Sequence, residues 1–599
     1  MASPVTTRTA RPLDALSFAA SGPSGTADVV AGHLRLLGAA GTTSQGGGTD
    51  GSGPQEAGRT VLTGADFRPV EARLSWGDRA GGVVDEATVQ AATGMMAVHG
   101  RRDGEPRALA ADYAATAAGV LAVQGLLAAL LAQARGADAV SVRTGADRAG
   151  LLAVSQYFAA TGADEGEAAE LAPGGPPFTS GDGVLFELET LDPGAWAAFW
   201  YALDAPRDAV RAGWRPFQFR YATACAPFPG SLHTTARAHP WERIRRAAAG
   251  SGAEVCALRT LAERAAEHDG AAPWSLAPTG PAAPRTVSAA AVSAGRPLAG
   301  LTVLEAGRRI QAPLAAHLLG LLGAEVIRIE PPGGDPLRGM PPACSGISAR
   351  WLALNRGKRA VEIDIKAERD RRRLRELAAG ADVFLHNWAP GKAAALGLDA
   401  ADLAAANPAL VYAYTSGWAD RLPGAPMGTD FMVQARTGVG EAVRPQGEPP
   451  APSLMTLLDV LGGLLGAEAV LAGLLLRERT GRGVRVDSSL LGAADLLTAP
   501  ALARAARGSD VRRPAGFRRP LPTADGWVAP SDACATAAAA YDLRHLPTGQ
   551  ALRLLREHGL TATRVTTDLA DLHHDPRFAG SISRDAYGAP AVPDPWSFV

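Results

Sequence analysis

Three blocks of this 599-residue chain recur in the same order on either side of a proline-rich stretch, so its fold must be one that a chain can build twice. Residues 13–39 (LDALSFAASGPSGTADVVAGHLRLLGA) run parallel to 298–324 (LAGLTVLEAGRRIQAPLAAHLLGLLGA) at an offset of 285. DEATVQAATG from Asp85 parallels TDFMVQARTG from Thr429 at 344, and PFTSGDGV from Pro177 parallels PLPTADGWV from Pro520 at 343. The jump in offset means that the first half lacks the counterpart of about sixty residues lying between 325 and 426. That loss removes most of one α/β unit.

Breaker-rich segments divide the chain. Residues 39–58 (AAGTTSQGGGTDGSGPQEAG) hold almost no large apolar side chain to offset the entropy of ordering, which predicts a flexible loop. Residues 273–296 are rich in proline and alanine without a helical charge pattern, which predicts a linker. The organisation expected is a degenerate half over 1–272, with a small-domain-like region at 175–272, and a second half over 297–599. In the second half a large domain spans about 297–505, and a shortened small domain with its return segment spans about 506–599.

Charge and composition exclude several classes of function. With 59 Lys plus Arg against 60 Asp plus Glu, no net field draws the chain to nucleic acid or an anionic membrane. The four cysteines, Cys225, Cys256, Cys344 and Cys534, are too widely spaced for a disulfide framework or a C-x-x-C metal or redox site. No charged-then-apolar leader opens the chain, and no run of about 18 uninterrupted apolar residues follows. A soluble, cytoplasmic protein without a metal is the expectation.

The second half reads as a doubly wound α/β sheet. A β-type run (LTVLEAG) leads into an apolar-periodic segment and a second β run (EVIRIE), the alternation of a parallel sheet with helices on its faces. Further β-type runs follow at ADVFLHN, LVYAYTSG and GVRVDSS. No G-x-G-x-x-G follows the first strand, so a nicotinamide or flavin enzyme loses its main support.

The order LLGAEVIRIEPPGGDPLR, LNRGKRAVEIDIK, ADVFLHNWAPG, NPALVYAYTSGW, TDFMVQARTG, LLDVLGG, RTGRGVRVDSSLL and TADGWVAP resembles the family III CoA-transferases, the CaiB/BaiF family, over nearly all of 297–599. The resemblance implies a Rossmann-like large domain with a small α+β domain, and protomers interlocked like links of a chain. Two fused copies would then form an intramolecular pseudodimer, able to pair again as a homodimer. It also implies transfer of CoA from an acyl-CoA to a small carboxylic acid, with CoA as substrate and no permanently bound cofactor.

The family's nucleophilic aspartate falls on Asp459, at the head of a helical pattern where free N–H groups favour negative charge. Asp112 aligns with it if one small gap is allowed, and stands as a reserve. Gln311, in RRIQAPLAAH, falls where the formyl-CoA type carries a glutamine able to hold the acyl oxygen or the acceptor carboxylate. The family's CoA-binding positions fall on Lys358 and Asn387, with Trp388 alongside and Arg356, Arg359 and Arg338 as nearby cations for phosphate. The racemase branch carries a His before the Asp of the x-D-x-x-x-Q-A block, whereas Thr429 precedes Asp430 here. Threonine shuttles no proton near neutral pH, which disfavours an acyl-CoA racemase or isomerase. A non-catalytic acyl-CoA-binding scaffold is the third reading. The two halves show complementary losses, which suggests one complete composite site.

Overall fold

The computed structural model describes residues 11–44, 56–282 and 292–598. Its second half builds a seven-stranded sheet in the order Arg359–Glu362, Glu325–Glu330, Thr302–Ala306, Val383–His386, Val411–Ser416, Gly483–Ser489 and Trp274–Thr279. Six strands are parallel, as the alternating pattern predicts, and the seventh is antiparallel. The central Val383–His386 strand is buried at every residue, as befits a sheet covered on both faces.

The first half solves its sixty-residue deficit by changing strand direction. Its six-stranded sheet runs Ala40–Ser44, Ser17–Ser21, Glu56–Gly64, Phe67–Ser75, Ser141–Gly145 and Ser597–Phe598. Where the second half places two parallel strands with their crossovers, the first half places the antiparallel hairpin Glu56–Gly64 and Phe67–Ser75. Antiparallel neighbours need only a short turn, here Ala65 and Asp66, whereas each parallel neighbour needs a crossover of a dozen or more residues.

Two sequence expectations are corrected here. The predicted loop at 39–58 begins as the edge strand Ala40–Ser44, paired in parallel with Ser17–Ser21, and ends inside Glu56–Gly64; its middle, 45–55, lies outside the described residues. Main-chain pairing supplies order there, although all five side chains of Ala40–Ser44 are exposed. The predicted linker at 273–296 likewise opens as the strand Trp274–Thr279, while 283–291 lies outside the described residues. Its Pro278 is tolerated because the strand occupies a sheet edge.

The two edge strands are exchanged. Trp274–Thr279 follows the first half in sequence yet completes the second half's sheet, and Ser597–Phe598 at the far end of the chain completes the first half's sheet. Each is anchored by a buried tryptophan. The Trp274 indole donates to Glu468 Oε1 at 3.2 Å, and the Trp596 indole to the Leu121 carbonyl at 2.8 Å.

Between the sheets lie two long helices, Tyr113–Ala134 and Leu457–Thr480, packed on each other. Both are long and apolar enough to cross a membrane by composition, but their apolar windows are 100% and 94% buried inside the fold. A helix apolar on every side needs such an enclosure. Cross-helix bonds pin them: Gln124 Nε2 donates to the Leu464 carbonyl at 2.6 Å, and Tyr113 Oη to the Leu457 carbonyl at 2.9 Å. One continuous buried cluster runs from Leu13 through both helices to Trp596, so the halves share a core.

Glycines set the helix spacing on both sides of this core. A Cβ on Gly463 would fall 2.9 Å from the Gln311 carbonyl oxygen and 3.0 Å from Leu314 Cβ, both on the helix Gln311–Leu321. Gly119, at the offset of 344, meets Val29 of the helix Ser24–Leu36 in the same way at 2.8 Å. Gly463→Ala is therefore expected to lower stability by about 1–3 kcal/mol through overpacking, read as a reduced urea midpoint at unchanged slope.

The small units are crossed as well. Strands Leu185–Glu189 and Glu254–Ala257 of the first half pack on the second half's helix Asp430–Arg436. Strands Trp527–Pro530 and Ala562–Arg564 of the second half pack on the first half's helix Glu86–Ala92. The first-half unit carries four helices, Pro193–Tyr201, Arg207–Thr223, Gly230–Arg237 and Trp241–Ser251, around a core that includes Trp196, Phe199 and Trp200. The second-half unit carries only Ala535–Ala538 and Thr548–Glu557 between its last two strands.

Candidate active site

A cavity of about 960 Å³ opens at the carboxyl ends of the parallel strands, where ligands enter open α/β sheets. Both halves line it. Glu189, Trp214, Phe219, Arg220 and Tyr221 come from the first half; the loop from Arg308 to Gln311, the segment from Asn387 to Pro390 and Asp459 come from the second.

Asp459 is the third residue of Leu457–Thr480, directly after Thr456, whose φ of 53° turns the chain into the helix. Its own N–H donates to Asp430 Oδ2 at 2.7 Å, while its carboxylate makes no hydrogen bond or ion pair among the described residues. Asp430 is instead fully employed: Gln434 Nε2 donates to its other oxygen at 2.5 Å, and Gln434 in turn bridges to the main chain of Ser453. The x-D-x-x-x-Q-A block is thus a clamp on the start of the Asp459 helix. Burial raises Asp459 well above the ordinary carboxylate range, and the like charge of Asp430 adds to this, while Arg309 opposes it. Asp430 is raised as well, chiefly by burial.

Gln311 is the first residue of its helix and lies buried at the cavity wall, with Nε2 3.4 Å from the Ser416 carbonyl. The Gly462–Gly463 pair lets the Asp459 helix approach it, because a Cβ on Gly462 would fall 2.9 Å from Gln311 Nε2. The loop before Gln311 is held by Asn387. Arg308 N–H donates to Asn387 Oδ1 at 2.8 Å, and Asn387 Nδ2 returns a bond to the Arg308 carbonyl at 2.9 Å. This clamp sits beside Arg309, whose φ of 62° is a strained conformation for a residue with a Cβ.

The cavity thus gathers Asp459, Gln311, Asn387 and Trp388 from the sequence reading, but none of the cations singled out there lines it. Lys358 is buried, with Nζ bound to Glu305 Oε2 (2.7 Å), the Pro313 carbonyl (2.8 Å) and Asn355 Oδ1 (2.9 Å). All three of its donors are used, and burial pulls its pKa down to about 8. Arg338 pairs with both oxygens of Glu330 and stacks over Trp351; Arg359 pairs with Glu325 on the exposed sheet edge. Arg356 is half-buried, and the charges that act on it are those of Asp585 and Asp594 in the C-terminal segment.

Asp112 is corrected too. The equivalent clamp in the first half is Glu86, whose oxygens accept from the N–H groups of Ala114 (2.9 Å) and Ala115 (2.7 Å) and from Gln90 Nε2 (2.8 Å). At the offset of 344 this places Ala115, not Asp112, in the position of Asp459, with no gap. Asp112 precedes the helix and is ion-paired with Arg518 at 2.7 Å and Arg513 at 3.3 Å.

Functional candidates that sequence reasoning missed are Arg308, Arg309, Glu189 and Tyr221. The arginine doublet stood in plain view in RRIQ, whereas Glu189 and Tyr221 lie far away in the other half and carry no local signal. Thr429, immediately before Asp430, donates through Oγ1 to Glu189 Oε2 at 2.8 Å, which ties the first half to the Asp430 clamp. Glu189 also pairs with Arg220 at 3.1 Å.

The profile of CoA-transferase family III matches residues 84–278 and 298–580, once in each half. The chain is 36% identical over 199 residues to the succinyl-CoA:glutarate CoA-transferase of Mus musculus, covering 33% of this chain and 46% of that one. It is 36% identical over 197 residues to the acetyl-CoA:oxalate CoA-transferase of Acetobacter aceti, covering 32% and 51%. The chain therefore spans about half the length of these curated relatives. A CAIB/BAIF family protein from Brucella suis aligns with 50% of this chain and 92% of its own at 27% identity and a TM-score of 0.45. The family profile covers most of the chain in two successive matches, and the chain belongs to CoA-transferase family III as a tandem of two such units.

Proposed function

We propose that the chain transfers coenzyme A from an acyl-CoA thioester to a carboxylic acid, with Asp459 as nucleophile at one composite site. The observation that carries this reading is the contrast between two neighbouring aspartates. Asp430 is consumed in holding the helix start, while the Asp459 side chain lines the cavity with no hydrogen bond or ion pair to its carboxylate among the described residues. Family membership and the names of the curated relatives support the same class of reaction.

In the proposed sequence, the Asp459 carboxylate attacks the thioester carbonyl, the C–S bond breaks, and CoA leaves as thiolate from a mixed anhydride. The thiolate then attacks the Asp459 acyl carbon, releasing the donor acid as carboxylate and leaving an aspartyl-CoA thioester. An acceptor carboxylate reverses these steps, so Asp459 returns as a carboxylate and no proton is consumed. Splitting the exchange in this way lowers each barrier. The positive end of the helix dipole of Leu457–Thr480 favours the oxyanions that form there, and the neutral amide of Gln311 can orient the incoming carboxylate without competing as an acid. CoA enters as substrate, and the chemistry calls for no resident cofactor.

Hydroxylamine added during incubation with a panel of acyl-CoA thioesters should leave a hydroxamate on Asp459, located by peptide mass spectrometry. Failure across the panel would sink the reading.

The pH profile supplies a second check. Asp459 must be ionised to attack, and its raised pKa places the acid limb of kcat/KM above that of an ordinary carboxylate. Asp430→Asn removes the like charge, so the limb is expected to move to lower pH even if the rate falls. A limb that stays in place would mean that another group controls it.

A further inference from the structure

We infer that Arg309 binds the distal carboxylate of a dicarboxylic acid, so that the chain selects dicarboxylic over monocarboxylic acyl groups; this rests on the transferase reading above. Most arginines around the site are already committed. Arg220 is engaged by Glu189 at 3.1 Å and by the Phe217 carbonyl at 2.7 Å, Arg338 by Glu330, and Arg328 by Glu305 and Asp335. Arg309 differs. Like Arg308 before it, it lies on the cavity wall, is exposed, and has no side-chain hydrogen bond or ion pair among the described residues; of the two, it is Arg309 that stands over an aromatic ring of the first half.

Its position is nevertheless fixed. The guanidinium stands 5.5 Å from the ring centroid of Tyr221, contributed by the first half, and its backbone is strained at a φ of 62° directly after the residue clamped by Asn387. A strained, aromatic-backed and unpaired guanidinium beside a reactive carboxylate is prepared for an anion. Arginine offers a planar fork that matches a carboxylate with two parallel hydrogen bonds.

The reaction sequence says which anion. In the resting enzyme Arg309 and Asp459 line the same cavity, and the positive charge of Arg309 favours the ionised Asp459 carboxylate. Once Asp459 becomes a neutral aspartyl-CoA thioester, that negative charge is gone, and a second carboxylate on the acceptor restores it. The CoA pyrophosphate is a poor candidate, because the whole pantetheine arm separates it from a sulfur bonded at Asp459. The reacting carboxylate is also a poor candidate, because pairing it with Arg309 would blunt its attack, a task for which the neutral Gln311 is better suited.

The test uses the full chain with acetyl-CoA and succinyl-CoA as donors and length-matched acceptors, succinate against butyrate and glutarate against pentanoate. In the unaltered chain kcat/KM is expected to favour each dicarboxylate by at least about tenfold. Arg309→Met should bring that ratio close to one, mainly through a raised KM for the dicarboxylate, and Arg309→Lys should keep part of it. A ratio near one in the unaltered chain overturns the inference, and this measurement decides even if a variant proves unstable. So does an Arg309→Met variant that slows both acids equally, which would assign Arg309 to the reacting carboxylate or to Asp459 alone. Transfer to no acid at all would instead overturn the transferase reading, and this inference with it.

Discussion

Replacing Asp459 by asparagine is expected to lower CoA transfer by at least about a thousandfold while leaving the fold intact. The amide has the size of the carboxylate but cannot form the anhydride. The bond that fixes the helix start runs from the Asp459 backbone N–H to Asp430, so the substitution leaves it in place. Stability should be unchanged or higher. A carboxyl whose pKa is raised on folding binds its proton more tightly in the folded chain than in the unfolded one, so its ionisation at neutral pH works against the fold. Removing that carboxyl removes the penalty, and a thermal melt at neutral pH reads it. Asp112→Asn should behave in the opposite way. It loosens the ion pairs to Arg518 and Arg513 and so lowers the melting temperature, while hydroxamate still forms on Asp459. If Asp112→Asn abolished transfer and Asp459→Asn did not, the roles of the two residues would be reversed.

The duplication and the parallel sheet were legible because they rest on local patterns: repeated blocks at fixed offsets, and β-type runs alternating with apolar-periodic segments. The place of Asp459 and Gln311 at the cavity was legible because their motifs are contiguous. Three things were not. The hairpin that replaces two parallel strands leaves no trace in an offset, since a deletion looks the same whichever way the remaining strands run. That the cations chosen for CoA lie off the cavity was not legible, because sequence shows charge but not commitment: Lys358 looks available until Glu305, Asn355 and the Pro313 carbonyl are seen to use all three of its donors. The Asp112 alignment needed a gap only because the acidic residue was matched by type. The hydrogen bonds that Glu86 accepts from the N–H groups of Ala114 and Ala115 set the true register, and in that register the first half has an alanine where the second has Asp459.

That alanine gives the two halves different tasks, and cutting the chain should show it. Residues 292–599 expressed alone are expected to be inactive and poorly soluble, with no detectable hydroxamate on Asp459. They would lose the edge strand Trp274–Thr279 from their own sheet and would expose the face of Leu457–Thr480 that packs on Tyr113–Ala134. Uncovered apolar surface of that kind drives aggregation. The cavity would also lose Glu189, Arg220 and Tyr221, and with them the partner of Thr429 and the ring behind Arg309. Co-expression with residues 1–282 should restore both solubility and labelling, because the exchanged strands and the shared core hold the pieces together without a covalent link. Co-purification of an untagged fragment with a tagged one, followed by the hydroxamate assay, measures both. Full activity from 292–599 alone would mean that the first half is dispensable and that the site is not composite. Restoration only on co-expression would identify the first half as the second protomer of a pair that gene fusion has made permanent.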